Sequence, residues 1–352
     1  MIYKKEFKAS YLNKTNEDLK ISNIFFNNKL EKGQVLVKLK YSGICGSQLG
    51  EISGVKGKDR YLPHLLGHEG SGVVVDIGPG VKYIKKRQSV ILHWMKSTGI
   101  DAASPKYFHK NKTLNAGKVT TFNEYAIVSE NRLTKIPKGL SFKNAVVFGC
   151  AITTGYGSVN NDAKIKKNKN ILVLGAGGVG ISLIQSCKIK NPKEIVVVDL
   201  HQSKLNFSKK FGSTKTILYK NKLNNLKFKL KNILKKNEKF DYCFDTTGDP
   251  KLIELVYNLI ATNAKLILIG VPHYKSKLSI NTLGINLGKQ IIGSKGGNIN
   301  PHIDIKKIYR QFKNNNINFS KFYEKTYNID QINEVINKMK SGKLLGRPLI
   351  KF

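Results

Sequence analysis

The chain has 352 residues, 40% hydrophobic, 24% charged and 9% aromatic, a globular composition long enough for two cores. No apolar run approaches the roughly 18 residues of a membrane span, and the first twenty residues lack the apolar stretch of a signal peptide, so a cytoplasmic location is expected. The net charge of +38 is almost all lysine spread along the chain; arginine stands only at 60, 87, 132, 310 and 347, which argues against specific nucleic-acid recognition.

The N-terminal part reads as short strands broken by Gly and Pro. "QVLVKLKYSG" alternates and stops at Gly43, and "GSGVVVDIGPG" is a β-branched strand closed by a turn. "RQSVILHWM" and "FNEYAIVSENRL" add two more. Near residue 151 the pattern changes. "NILVLGAGGVGISLIQSCKI" predicts a buried strand, a glycine turn and a helix, followed by the strand "EIVVVDL" and a helix ending at Gly212. "DYCFDTTG", the helical "PKLIELVYNLIAT", "AKLILIGVP" and "KQIIGSKGG" continue the alternation. Continuous apolar runs between helices point to a parallel sheet covered on both faces. "IDQINEVINKMKSG" predicts an amphipathic helix and "RPLIKF" a last strand. This final segment is too small for its own core and is expected to complete the first domain.

The turn "LGAGGVG" supplies Gly175, Gly177, Gly178, Val179 and Gly180 directly after a strand and at the start of a helix. Such a turn lets backbone approach a pyrophosphate at a helix N-terminus. Asp199 ends the next strand, nineteen residues past Gly180, at the distance expected for a carboxylate on the adenosine ribose. A carboxylate there repels a 2′-phosphate, which favours NAD over NADP; Lys204 could serve either cofactor.

Four cysteines far apart, with no CxxC, do not form a disulfide framework. Cys187 and Cys243 lie in apolar periods and read as core. Cys45, His68 and Cys150 lie in or beside Gly-flanked turns. Two cysteines and a histidine are one ligand set of an open catalytic zinc site. Spacing alone leaves open whether these three meet, or whether Cys45 is simply a small core residue.

The chain resembles the zinc-dependent medium-chain alcohol dehydrogenases nearly end to end. The resemblance rests on "SGICGS", "GHEGSGVV", "GCAITTGYG", "LGAGGVG", "VVVDL", "GVP", "GSKGG" and "SGKLLGRPLIKF" in this order. It implies an α/β fold: a GroES-like β-barrel catalytic domain, 1–151 plus 295–352, split by a Rossmann doubly wound parallel-sheet domain, 152–294, with the site in the cleft between them. It implies that Cys45, His68 and Cys150 are the ligands of one catalytic zinc. Ser47 then meets the substrate oxygen. Glu69 sits beside the metal, as an occasional ligand or as a salt-bridge partner. Asp199 and Lys204 touch the NAD ribose, Val271 lies near the nicotinamide, and Arg347 lies near an arginine on the pyrophosphate. The implied reaction is hydride transfer between an alcohol and NAD, in a homodimer or homotetramer. The alternatives are a zinc-free quinone or enoyl reductase of the same fold, or an inactive dehydrogenase-like binding protein.

Three departures from the family stand out. The stretch "HWMKSTGIDAASPKYFHKNKTLNAGKV" lacks the four cysteines of a structural zinc lobe, so one zinc per chain is expected, with His93 and His109 not replacement ligands. Gln48 replaces the usual aspartate beside the metal site. Gly50 stands where some relatives carry a relay histidine. His93 and Trp94 are expected near the substrate, and a pocket with His93 and abundant nearby lysine suits a polyol, sugar or sugar phosphate.

Overall fold

The computed structural model describes residues 6–26 and 29–352. The chain divides into two units, residues 1–153 with 300–352, and residues 154–299.

The first unit begins with β1 (Phe7–Leu12), β2 (Lys20–Ile24) and the long β3 (Gln34–Gly43). After α1 (Gly46–Ile52) come β4 (His64–Leu65), β5 (Glu69–Ile77) and β6 (Ser89–His93). The hairpin β7 (Lys106–His109) and β8 (Lys112–Asn115) precedes β9 (Tyr125–Ser129), β10 (Leu133–Lys135) and the short α2 (Phe142–Ala145). Helix α3 (Ala151–Gly157) leads into the second unit.

That unit is a six-stranded sheet, wholly parallel, in the order β13-β12-β11-β14-β15-β16. In chain order it runs β11 (Asn170–Leu174), α4 (Gly178–Lys188), β12 (Glu194–Asp199), α5 (Gln202–Lys209), β13 (Lys215–Leu218) and α6 (Leu223–Asn232). It continues with β14 (Tyr242–Asp245), α7 (Pro250–Leu259), β15 (Lys265–Leu268), α8 (Leu283–Asn286) and β16 (Gln290–Gly293). All five residues of β11 are buried, and the apolar run from Ile171 to Leu174 is what a strand covered on both faces requires.

The chain returns to the first unit through α9 (Pro301–Asn314), β17 (Thr326–Tyr327), α10 (Ile332–Lys340) and β18 (Leu349–Lys351). β18 adds antiparallel to β3, with Leu349 opposite Gly43, and so joins the larger of two sheets there. Ile332, Val335 and Ile336 of α10 pack with Leu12, Ile44 and Phe122 of the barrel. The last fifty residues pack into the core of residues 1–153.

Strand β3 is the spine of the first unit. It pairs with β5, β9 and β18, and its apolar residues Val35, Val37 and Leu39 share a core with Val74, Val90 and Leu92. Its end at Gly43 and the start of β5 at Glu69 lie side by side, with Ser42 opposite Gly70. That register carries the two segments bearing Cys45 and His68 out of the sheet at one place.

Candidate active site

Cys45 is the residue before α1. Its backbone is extended, so the chain turns from the end of β3 into the helix there. His68 precedes β5, and Cys150 precedes α3. The three meet: one ligand atom from each lies within 4.8 Å of the others. The two sulfurs are 4.0 Å apart and both cysteines are free and buried. Nδ1 of His68 faces Gln48, while its Nε2 is buried with no nitrogen or oxygen partner. Two thiols and an unclaimed imidazole nitrogen, gathered in one buried place, are what a soft divalent metal requires. The residues present fit a metal ion.

Charge around this group is strongly perturbed. The Cys45 thiol is held well below its ordinary range, first by a hydrogen bond from Cys150, then by the Arg347 and His68 charges, against burial. The Cys150 thiol is correspondingly raised, first by that same bond and then by burial. Burial works against a charge on His68, but the Cys45 sulfur and the Glu69 carboxylate outweigh it and the ring holds its proton more firmly. Glu69 is fully buried, and burial lifts its carboxyl to about 7 against the pull of Arg347.

Glu69 lies outside the Cys–His–Cys group and is paired with Arg347, Nε to Oε1, at 3.0 Å. Arg347 also donates through Nη1 to the carbonyl of Ile44, one residue before Cys45. Space here is closed: a side chain at Gly43 or Gly149 would collide with Glu69. Arg347, expected near a pyrophosphate, is thus a buried counter-charge beneath the candidate metal ligands, far below solvent at 3% exposed.

Ser47 Oγ, two residues past Cys45, is buried without a partner, so its hydroxyl is uncommitted. The Trp94 ring lies 6.4 Å from that of His68. His93 is different: its Nδ1 bonds Met95 O at 2.8 Å and its Nε2 bonds Thr134 Oγ1 at 3.0 Å. It is a satisfied core histidine rather than a pocket wall. His109 bonds the carbonyl of Asn23 and packs on Tyr11, away from the cluster.

A pocket of about 450 Å³ borders the cluster within the same unit, lined by Gln48, His68, Lys56, Asp59, His64 and Lys118 among others. In its wall His64 is bonded to Asp59, Nε2 to Oδ2, at 2.8 Å. Reading the sequence alone did not single out this pair, because nothing in "KDRYLPHLL" marks which strand end the loop folds against.

In the second unit the glycine turn follows β11. Gly175 has φ +92°, and Gly177 precedes the first turn of α4. A Cβ on Gly180 would lie 2.0 Å from the Gly175 carbonyl oxygen, so only glycine lets α4 start this close to the strand. Asp199 Oδ2 accepts from Ala176 N at 2.8 Å and Oδ1 from His201 N at 2.9 Å. The carboxylate is thereby fixed against the turn. Lys204 lies on α5, one turn beyond, and Val271 is half exposed after β15. The sheet order reverses between β11 and β14, the place where such sheets take a ligand. There Asp245, buried, accepts from Thr247 N and Gly248 N, and Thr246 Oγ1 donates to Leu174 O. Asp245 and Thr246 escaped the sequence reading because "DTTG" carries no fixed motif of its own.

Two family models match the chain: the alcohol dehydrogenase GroES-like domain over residues 31–138 and the zinc-binding dehydrogenase domain over residues 178–313. The chain belongs to the zinc-dependent medium-chain alcohol dehydrogenase family. It is 26% identical to an S-(hydroxymethyl)glutathione dehydrogenase of Photobacterium damsela subsp. piscicida, over 89% of this chain and 91% of that one. It is also 26% identical to alcohol dehydrogenase 6 of Peromyscus maniculatus, over 89% of each chain. Its fold matches the crystal structure of benzyl alcohol dehydrogenase from Acinetobacter calcoaceticus with a TM-score of 0.86, 23% identity and 99% coverage of both chains. Membership makes this dehydrogenase an alcohol oxidoreductase with a GroES-like barrel and a Rossmann sheet. Among its described residues no helix is long and apolar enough to cross a membrane.

Proposed function

We propose that the protein is a zinc- and NAD-dependent dehydrogenase of polar alcohols, interconverting alcohol and carbonyl. The observation that carries this reading is the convergence of Cys45, His68 and Cys150 within 4.8 Å of one another. These three residues would hold one zinc per chain. Zinc bound there supplies a Lewis acid for the alcohol oxygen, and NAD supplies the hydride acceptor.

The rest is done by the chain itself. Ser47, uncommitted and two residues from Cys45, takes the hydroxyl proton of the alcohol. Gly50 offers no imidazole to pass it on, so the proton leaves by another route. Arg347 stays charged and, paired with Glu69, is the cation that offsets the negative charge of the sulfurs and of that carboxylate. Trp94 supplies an apolar wall that keeps water from the reacting carbon. Gly175, Gly177, Gly178, Val179 and Gly180 admit the pyrophosphate. Asp199, with both oxygens pinned, presents a negative charge that selects NAD. Lys204 and Val271 flank the ribose and the nicotinamide. The pocket beside His68, with Lys56, Lys118 and Asp59 in its wall, favours a polar or anionic substrate such as a polyol, sugar or sugar phosphate.

The dehydrogenase is further proposed to act as a homodimer in the cytoplasm. Strand β16 is a sheet edge, and Leu283, Ile285 and Leu287 just before it are exposed at 60, 44 and 57%. An apolar edge of that kind is covered by a second copy across a two-fold axis.

Elemental analysis tests the core of this reading. About one zinc per chain is expected, lost with activity in Cys45→Ala; retention of both in that variant refutes it. A substrate panel followed by NADH absorbance then tests the rest. Strong preference for NADP overturns the Asp199 assignment, and preference for long aliphatic alcohols over polyols overturns the substrate class. Light scattering that returns a monomer overturns the dimer.

A further inference from the structure

Gln48 is buried in the first turn of α1, and its side-chain amide has two neighbours. Oε1 lies 2.9 Å from the backbone N–H of Cys45. Nε2 lies 2.5 Å from Nδ1 of His68. A backbone N–H is always a donor, so the amide atom facing it has to be the oxygen. The group turned toward the imidazole is therefore the NH₂. Two donors cannot face each other at that distance, so Nδ1 offers its lone pair. The proton of the neutral ring then belongs on Nε2, the nitrogen left to face the sulfurs.

Metal ligation by Nε2 needs the opposite tautomer. The lone pair has to be on Nε2, and Nδ1–H has to find an acceptor. A carboxylate at position 48 serves both neighbours, one oxygen for each N–H. An amide cannot: turning its oxygen to Nδ1–H sets its NH₂ against the Cys45 N–H. Losing the Cys45 bond would in turn strand a buried donor at the mouth of the helix.

We propose that Gln48 is a positioning residue that holds His68 in its Nε2–H form and so lowers the metal affinity of the Cys45–His68–Cys150 site. The inference rests on reading these three residues as metal ligands, and the experiment separates the two. Zinc affinity of the full chain is measured by competition with a chromophoric chelator for the native protein, Gln48→Glu and Gln48→Ala. Gln48→Glu is expected to bind about tenfold tighter or more. Gln48→Ala, which removes the opposing NH₂ and lets water accept from Nδ1–H, is expected to bind no more weakly than the native chain. The ¹⁵N spectrum of the histidine-labelled, metal-free native protein, taken at a pH high enough to leave the His68 ring neutral, is expected to show its single proton on Nε2. An Nδ1–H tautomer, or a Gln48→Ala variant about tenfold weaker, overturns the proposal, since the amide would then be supporting the metal. Should either variant fail to fold, the native tautomer decides by itself. Zinc affinity unchanged in both Cys45→Ala and Cys150→Ala instead refutes the ligand reading, and the tautomer still tests the role of Gln48.

Discussion

At the scale of single residues, the chain's buried charges decide more than its exposed ones. Arg347 and Glu69 form an ion pair with almost no solvent, 4% and 0% exposed at the side chain. Pairs of this kind add little over apolar packing, but breaking one leaves a naked charge. Arg347→Met is therefore expected to cost about 3–5 kcal/mol in urea unfolding of the metal-free protein, and Arg347→Lys clearly less. His93 gives a pH signature. Burial, aided by the Arg132 charge, pushes its imidazole down from 6.5 to about 4. The folded chain keeps the ring neutral where the unfolded chain protonates it. Its contribution is complete above pH 6.5 and is lost as pH falls through 6.5 toward 4. About 2 kcal/mol should disappear between pH 7.5 and 5 in the presence of a chelator, and His93→Gln should lack that share of the slope. An identical slope in the variant would assign the acid sensitivity elsewhere. His93 also shows where sequence reading stops: "ILHWM" places His93 and Trp94 together, but only the strand's register turns one ring toward Thr134 and the other toward His68.

At the scale of elements, two glycines of one turn have separable tasks. A Cβ at Gly180 would press on the Gly175 carbonyl, whereas a Cβ at Gly177 meets nothing within 4 Å. Gly180→Ala is expected to lower the stability of the second unit by about 1–3 kcal/mol, because helix and strand have to move apart. Gly177→Ala, at φ −75°, should leave the melting temperature unchanged; under the proposed function it should weaken NAD binding at least severalfold, because the added methyl would hold the backbone away from the pyrophosphate. Equal melting losses in both would show that the turn is structural only. The turn was legible because its glycines, flanking strand and helix are contiguous. Residues 326–351 were legible as a helix and a strand, and their place beside β3 follows only from the pairing of Leu349 with Gly43.

For the whole molecule, charge is the dominant physical fact. With 61 basic and 23 acidic residues, the protein should adhere to any polyanion at low salt. Retention on heparin or random duplex DNA is expected at 50 mM salt and should be largely gone by about 200 mM, without preference for sequence. Sequence-selective binding that survives that salt would reopen a nucleic-acid role. The same field would draw the anionic substrates proposed above, towards the lysines in the wall of the pocket beside His68.

What the sequence determined by itself was local and periodic: the buried parallel strands, the glycine turn with Asp199 at the next strand's end, and the chemistry of the residue types. These are legible because hydrophobic period, turn chemistry and spacing act over a few residues. What only the tertiary structure decided was which distant residues share a space. Cys45 and Cys150 stand 105 positions apart and their sulfurs lie 4.0 Å apart. Arg347 reaches Glu69 across the whole chain, and the amide of Gln48 faces His68 with its nitrogen because its oxygen is already taken. Such contacts depend on strand register and on the competition of buried groups for partners, and neither leaves a pattern in the order of the residues.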